Sequence, residues 1–432
     1  MRVPGFIRAL TIALLTSWPV LAQDAAHDMS TMSGDSVTAS HRHFMLQGIP
    51  LVTRAAPSAG GSPFTQAVLS QPVGMANGRF ARSRGAYAAT FDAEGLTMPN
   101  GELNTGGYGE GFVDRRHPHT YLHELMLTGF GETGAIKWSA SAGRGFAPFG
   151  TDDPMMRPLV KFPINHHLAQ ILERATIIGA LRVGALIVEG ATFDGDEPTT
   201  PSSLPRASRF GDSWAARATL LISRGVELQA SHARVASPEE LSGYGLDQRK
   251  HSLSARSISG DGTRYVLVEW AKTTDRDPVR SRDVFDYASV LAEGAVQAGP
   301  MGIALRVEQS ERPEEDRLAA AFRTPRPSTD LSTNGITRWR TVSLHVAAPA
   351  SRRRTVDATP FVEVAALSAD PRHPQSVFTP DRVYGTSRFL MLTAGVRVRG
   401  GDAHARMGRY GVADTGGPAI GGMQPRETQR QR

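Results

Sequence analysis

The chain has 432 residues, 40% hydrophobic and 21% charged, with 48 basic against 42 acidic side chains and no cysteine. The absence of thiols excludes disulfides, thiolate metal centres and a lipidated-cysteine anchor. The formal net charge of +6 is almost all arginine, since Lys137, Lys161, Lys250 and Lys272 are the only lysines; no basic cluster is interleaved with aromatics, so no nucleic-acid partner is expected.

Residues 1–22 read as an export signal, with Arg2 and Arg8 ahead of an apolar run from Ala9 to Trp18 and a small-residue cleavage site at Val20-Leu21-Ala22. No other stretch approaches the roughly 18 apolar residues of a membrane helix. Residues 23–77 are rich in Ala, Ser, Gly, Met and His and lack sustained periodicity, which predicts a flexible periplasmic tail. Within it His27, Met29, Met32, His41, His43 and Met45 supply thioether and imidazole donors of the kind copper accepts.

From residue 78 to 410 the pattern has period two. It is clearest from Ser213 to Ser223, where Trp214, Ala216, Ala218, Leu220 and Ile222 share one face and Ser213, Ala215, Arg217, Thr219, Leu221 and Ser223 the other. Comparable runs lie at 85–92, 120–130, 134–145, 172–182, 184–194, 213–223, 226–235, 249–258, 263–273, 284–296, 301–311, 336–348, 355–368 and 387–399. Most have the length a tilted strand needs to cross a bilayer. Long connections, such as 93–119, 146–171 and 369–386, alternate with short turns. The fold expected is therefore all-β: an antiparallel transmembrane β-barrel of about 14 strands, within a range of about 12–16, with both termini on the short-turn, periplasmic side. Residues 411–432 form a polar C-terminal tail.

This register assigns Arg217, Arg306, Arg397 and Arg399 to the lumen, and Leu220, Leu305, Leu392 and Val396 to lipid. Leu220→Arg should then cost about 2–4 kcal/mol near the midplane, and Arg217→Leu less.

The histidines gather at one rim in this topology. His117 and His119 stand in VDRRHPHTYLHE and His166 and His167 in INHH, with Asp114, Asp194, Asp196 and Glu124 as acidic neighbours. Imidazoles and carboxylates without thiols suit a divalent ion such as copper or zinc. The candidate metal ligands are His117, His119, His166, His167, Asp114 and Asp194. The same residues, with Arg115 and Arg116, would equally serve as a latch tying two long loops over the mouth. Enzyme templates match poorly: there is no G-x-S-x-G elbow, no phosphate loop and no H-E-x-x-H.

The strings DRRHPHTYLHEL, PINHHLAQILERATIIGALRVGALIVEGATFDGDEP and ASHARVASPEEL resemble an uncharacterised family of bacterial outer-membrane β-barrel proteins. That family carries a D-R-x-H-P-H string, matched by Asp114, Arg115, His117, Pro118 and His119, and a later H-H, matched by His166 and His167. The resemblance extends through Glu189, Gly190, Phe193, Gly195, Glu197 and Pro198, and through Ser237, Pro238, Glu239 and Leu241, with Asp194 where the family has Asn. It implies an outer-membrane location in a Gram-negative bacterium and a metal-resistance, especially copper, setting. The leading expectation is transport or binding linked to transition-metal homeostasis, with outer-membrane lipid and the barrel-insertion machinery as partners. Two alternatives stay open: a passive anion-preferring channel using the lumen arginines, and a rim enzyme acting on lipid or lipopolysaccharide with His117 or His167 as base.

Overall fold

The computed structural model describes residues 42–57, 63–98, 119–151, 153–164, 166–315, 333–353, 355–374, 376, 379–401 and 406–415. Over these, seventeen strands form one antiparallel sheet. They are β1 (Arg42–Ala56), β2 (Phe64–Phe80), β3 (Gly85–Asp92), β4 (Leu122–Thr133), β5 (Ile136–Gly145), β6 (Arg174–Val183), β7 (Leu186–Phe193), β8 (Ser213–Ser223), β9 (Val226–Val235), β10 (Asp247–Ile258), β11 (Arg264–Asp277), β12 (Arg282–Ala298), β13 (Met301–Glu315), β14 (Thr333–Ala347), β15 (Ser351–Arg353), β16 (Val356–Pro371) and β17 (Arg388–Gly401). Pairing of β1 with β17, from Met45 opposite Gly401 to Ala56 opposite Leu390, closes the sheet into a barrel. The three-residue β15 only edges β16, so sixteen strands build the wall.

All fourteen expected strands are present, and the count rises by two because β1 and most of β2 fall within the segment read as a tail. Gly48, Pro50, Pro72, Gly74 and Gly78 interrupt its hydrophobic pattern. Burial nonetheless alternates along β1, with Met45, Gln47, Ile49, Leu51, Thr53 and Ala55 turned inward. Pro50, whose ring cannot donate to a ladder, sits on the outward face. The turns at 134–135 and 184–185 place Gly134 and Gly184 at φ of 58° and 55°, the left-handed geometry that two-residue hairpin turns demand. Long and short connections alternate with one exception: 278–281, between β11 and β12, is tight where a long loop was expected.

The outward positions form an apolar surface: Leu127, Leu181, Leu186, Val188, Leu220, Leu253, Leu305, Leu344 and Leu392 are all exposed. Phe44, Phe80 and Trp138 stand near the short-turn end of this surface and Phe91 and Trp214 near the other, as aromatic girdles do where hydrocarbon meets headgroups. The inward positions are polar and charged, yet buried: Arg217 is 2% exposed, Glu269 0%, Glu293 2% and Arg306 1%. Barrels of about 16 strands ordinarily leave an aqueous channel. Here something fills it.

Candidate functional site in the lumen and its mouth

Two segments occupy the interior. The connection from β5 to β6, residues 146–173, folds inward and crosses to the far wall. Its backbone N–H groups donate to inward carboxylates: Val160 and Lys161 to Glu363 of β16 at 2.9 and 3.2 Å, and Ile164 to Glu308 of β13 at 3.1 Å. Gly150 N–H donates to Ser231 of β9 at 3.0 Å, and the Thr151 hydroxyl donates to Glu269 of β11. Carbonyls of the same segment accept from Arg306 (Lys161 O, 2.7 Å), Arg217 (Gly150 O, 3.3 Å) and Arg397 (Pro158 O, 3.3 Å). An irregular segment has many unpaired backbone groups, and a charged lumen wall is one environment that can satisfy them away from water. Its apolar side chains, Phe149, Leu159, Val160, Phe162 and Ile164, are buried.

The second segment is the chain after β17. Residues 406–415 enter from the short-turn end, where Arg406 pairs with Glu227 at 2.7 and 2.9 Å. Tyr410 then donates to Glu124 at 2.6 Å and accepts from Phe146 N–H at 3.1 Å, so the two filling segments meet. Met407 joins Phe146, Met155, Met156 and Phe162 of the crossing segment and Met45, Val73 and Met75 of the wall in one apolar cluster. Methionine is the side chain best able to fill so irregular a seam.

The lumen arginines are matched rather than free. Arg217 holds Glu189 in a two-point pair at 2.6 and 2.7 Å, Arg306 lies 2.6 Å from Glu293, and Arg399 donates to Gln47 at 3.0 Å.

At the mouth, the wall is uneven. β3 stops at Asp92, opposite Val73, while β2 continues on towards Phe64 against β1. The chain leaving β3 turns inward into a one-turn helix, Glu94–Thr97, which brings Asp92 and Glu94 beside His119; all three are buried. His119 Nδ1 lies 3.2 Å from Glu94 Oε2 and 3.4 Å from Asp92 Oδ2. Each carboxylate is held by its other oxygen: Glu94 Oε1 accepts from Gln71 N–H at 2.7 Å and Ser70 Oγ at 3.1 Å, and Asp92 Oδ1 from Glu94 N–H at 2.8 Å. The Gln71 N–H points inward because Gln71 adopts a φ of 46° where the β1–β2 register shifts, a bulge that re-aims the backbone.

Two more imidazoles stand close by. His123 is centred 5.3 Å and His166 6.1 Å from the His119 ring. His123 Nδ1 sits 2.5 Å from Glu173 Oε1, which also accepts Thr120 N–H at 2.9 Å. Burial by itself would depress the His119 pKa, but Asp92 and Glu94 outweigh it and hold the imidazole well above its ordinary value. Burial, then the neighbouring Asp92, pushes the Glu94 carboxyl up. Burial would likewise raise Glu173, yet His123 and the other cations around it bring it below the usual carboxylate range. A cleft of about 480 Å³, lined by His119, Gln170, Glu173, Arg174, Glu197 and Lys250, leads to this centre.

No protein-family model and no curated protein matches the chain. Solved structures do. The fold is that of OprB from Pseudomonas putida, at a TM-score of 0.50 and 10% identity over 84% of this chain and 94% of that one. An anion-selective porin from Comamonas acidovorans is matched at a TM-score of 0.48 and 11% identity over 84% of this chain and all of the other. The OprB likeness speaks for a porin-like barrel and for the fold alone.

Of the proposed metal ligands, the structure brings His119 and His166 together. Asp114 and His117 lie outside the described residues, as does the side chain of His167, whose backbone shares the short helix His166–Ala169. Asp194 is not part of this centre: its carboxylate accepts Asp196 N–H at 3.0 Å and Arg209 N–H at 2.9 Å, bracing the 194–212 loop. Asp92, Glu94, His123 and Glu173 were missed as partners. The one available signal was the Asp92-Ala93-Glu94 spacing at a strand end, which becomes meaningful only once β3 is known to stop short.

Proposed function

We propose that this protein is an outer-membrane, porin-like barrel with a narrow, selective conduit, distinct from a general diffusion pore. The observation that carries this reading is the crossing segment 146–173, hydrogen-bonded to carboxylates on β11, β13 and β16 and capped from below by residues 406–415. The apolar outer surface with its aromatic margins supports the membrane location. Export through the segment at 1–22 and assembly by the insertion machinery belong to the same reading. Anion selection draws no support from Arg217 and Arg306, which each face a carboxylate, whereas Arg397 and Arg399, bonded to the Pro158 carbonyl and the Gln47 amide, are consistent with an anion-preferring conduit. A link to transition metals draws its support from the imidazoles at the mouth and from the sequence resemblance to a metal-resistance barrel family.

The test is electrical. Purified protein in planar bilayers should show unitary conductance well below that of an open sixteen-stranded pore, and proteoliposomes should exclude disaccharides. Removing residues 406–432 should raise the conductance. Large, steady conductance with free sugar passage in the intact protein would overturn the proposal.

A further inference from the structure

We propose that Asp92, Glu94 and His119 form a site for a divalent cation, such as Zn²⁺ or Mn²⁺, reached through the cleft at the mouth of the barrel.

The three donor atoms, Asp92 Oδ2, Glu94 Oε2 and His119 Nδ1, are buried and lie within 4.8 Å of one another. Protein ligands at about 2.0–2.2 Å from an ion leave donors roughly 3–4 Å apart, and the two His119 separations, 3.2 and 3.4 Å, fall in that range. Asp92 Oδ2 is wholly buried yet makes no hydrogen bond of ordinary geometry. An oxygen removed from water without a donor is costly, and this one is aimed into the trio. The remaining oxygens are fixed by Gln71 N–H, Ser70 and Glu94 N–H, the outer support that orients metal-binding carboxylates. Two carboxylates and one imidazole, with no sulfur, favour Zn²⁺ or Mn²⁺ over monovalent copper. Three protein donors leave further coordination positions for water. The inference is independent of whether the barrel conducts.

The experiment uses the full-length mature protein in detergent, stripped with chelator, then titrated with ZnCl₂ and MnCl₂ in a calorimeter. Wild type should take up one equivalent that Asp92→Asn and His119→Gln weaken by at least about tenfold, the scale on which losses around a metal act. Heat-dependent gel mobility would verify that each variant is folded. Equal binding by folded wild type and variants would overturn the proposal and leave the trio as an ion-paired latch. Should the variants not fold, zinc-edge X-ray absorption on wild type decides. A shell of oxygens with one imidazole supports the site; a shell of several imidazoles, or of sulfur, puts the ion on the histidines and methionines ahead of β1 and overturns it.

Discussion

Arg217 and Leu220 are three residues apart on β8 and face opposite environments. Leu220 is 41% exposed on the apolar wall but stands three residues from the end of β8 and opposite Leu186, the first residue of β7, so Leu220→Arg should cost less than the about 2–4 kcal/mol of a midplane position. The periodicity alone predicts that Arg217→Leu is milder. The structure reverses that expectation, because Glu189 would be left buried without its two-point partner. Breaking a buried pair costs about 3–5 kcal/mol, of which Arg409, 3.5 Å from Glu189, recovers part. Urea-unfolding curves in lipid vesicles should therefore show both variants destabilised, with Arg217→Leu rescued by a second change, Glu189→Gln. Alternation reveals which way a side chain points. It does not reveal what waits there, and this is why the lumen arginines were placed by sequence while their carboxylate partners were not.

The crossing segment is the element on which the closed lumen depends, and it has a tight point of its own. Gly150 sits at φ 71°, and a Cβ there would come 1.7 Å from the Ala169 carbonyl oxygen on the same segment. Gly150→Ala should force the two limbs of the segment apart and strain the bonds of Gly150 to Ser231 and Arg217, with every wall side chain left in place. The expected outcome is higher single-channel conductance and faster proteolysis between 146 and 173, with strand content by circular dichroism unchanged. Wild-type conductance in a folded variant would mean that the segment does not limit passage. An inward fold was half visible in the sequence. Phe146, Phe149, Met155, Met156, Leu159, Val160, Phe162 and Ile164 are too many apolar residues for a loop bathed in water. Their destination was not, because it depends on the contour of the wall: β1 and β2 complete a circle of sixteen strands, wide enough to admit a folded segment.

At the scale of the whole molecule, a closed antiparallel wall gives the clearest physical signature. Folded protein kept unheated in dodecyl sulfate should run differently on a gel from the boiled sample, and should sediment with outer membranes. A soluble periplasmic monomer without such a shift would refute the membrane reading. The alternation of faces from β3 to β17 made this architecture legible; the filled interior was not, since its contacts join residues as far apart as Glu124 and Tyr410, 286 positions along the chain. The contacts of residues 406–415 also bear on biogenesis. The partners of residues 406–415 are spread over β4, β5, β8 and β9, and the segment itself follows the strand that seals the barrel. The docking surface does not exist until those strands have been laid side by side. Residues 406–415 can therefore seat only after β4, β5, β8 and β9 have paired, which makes their docking a step that waits on the wall.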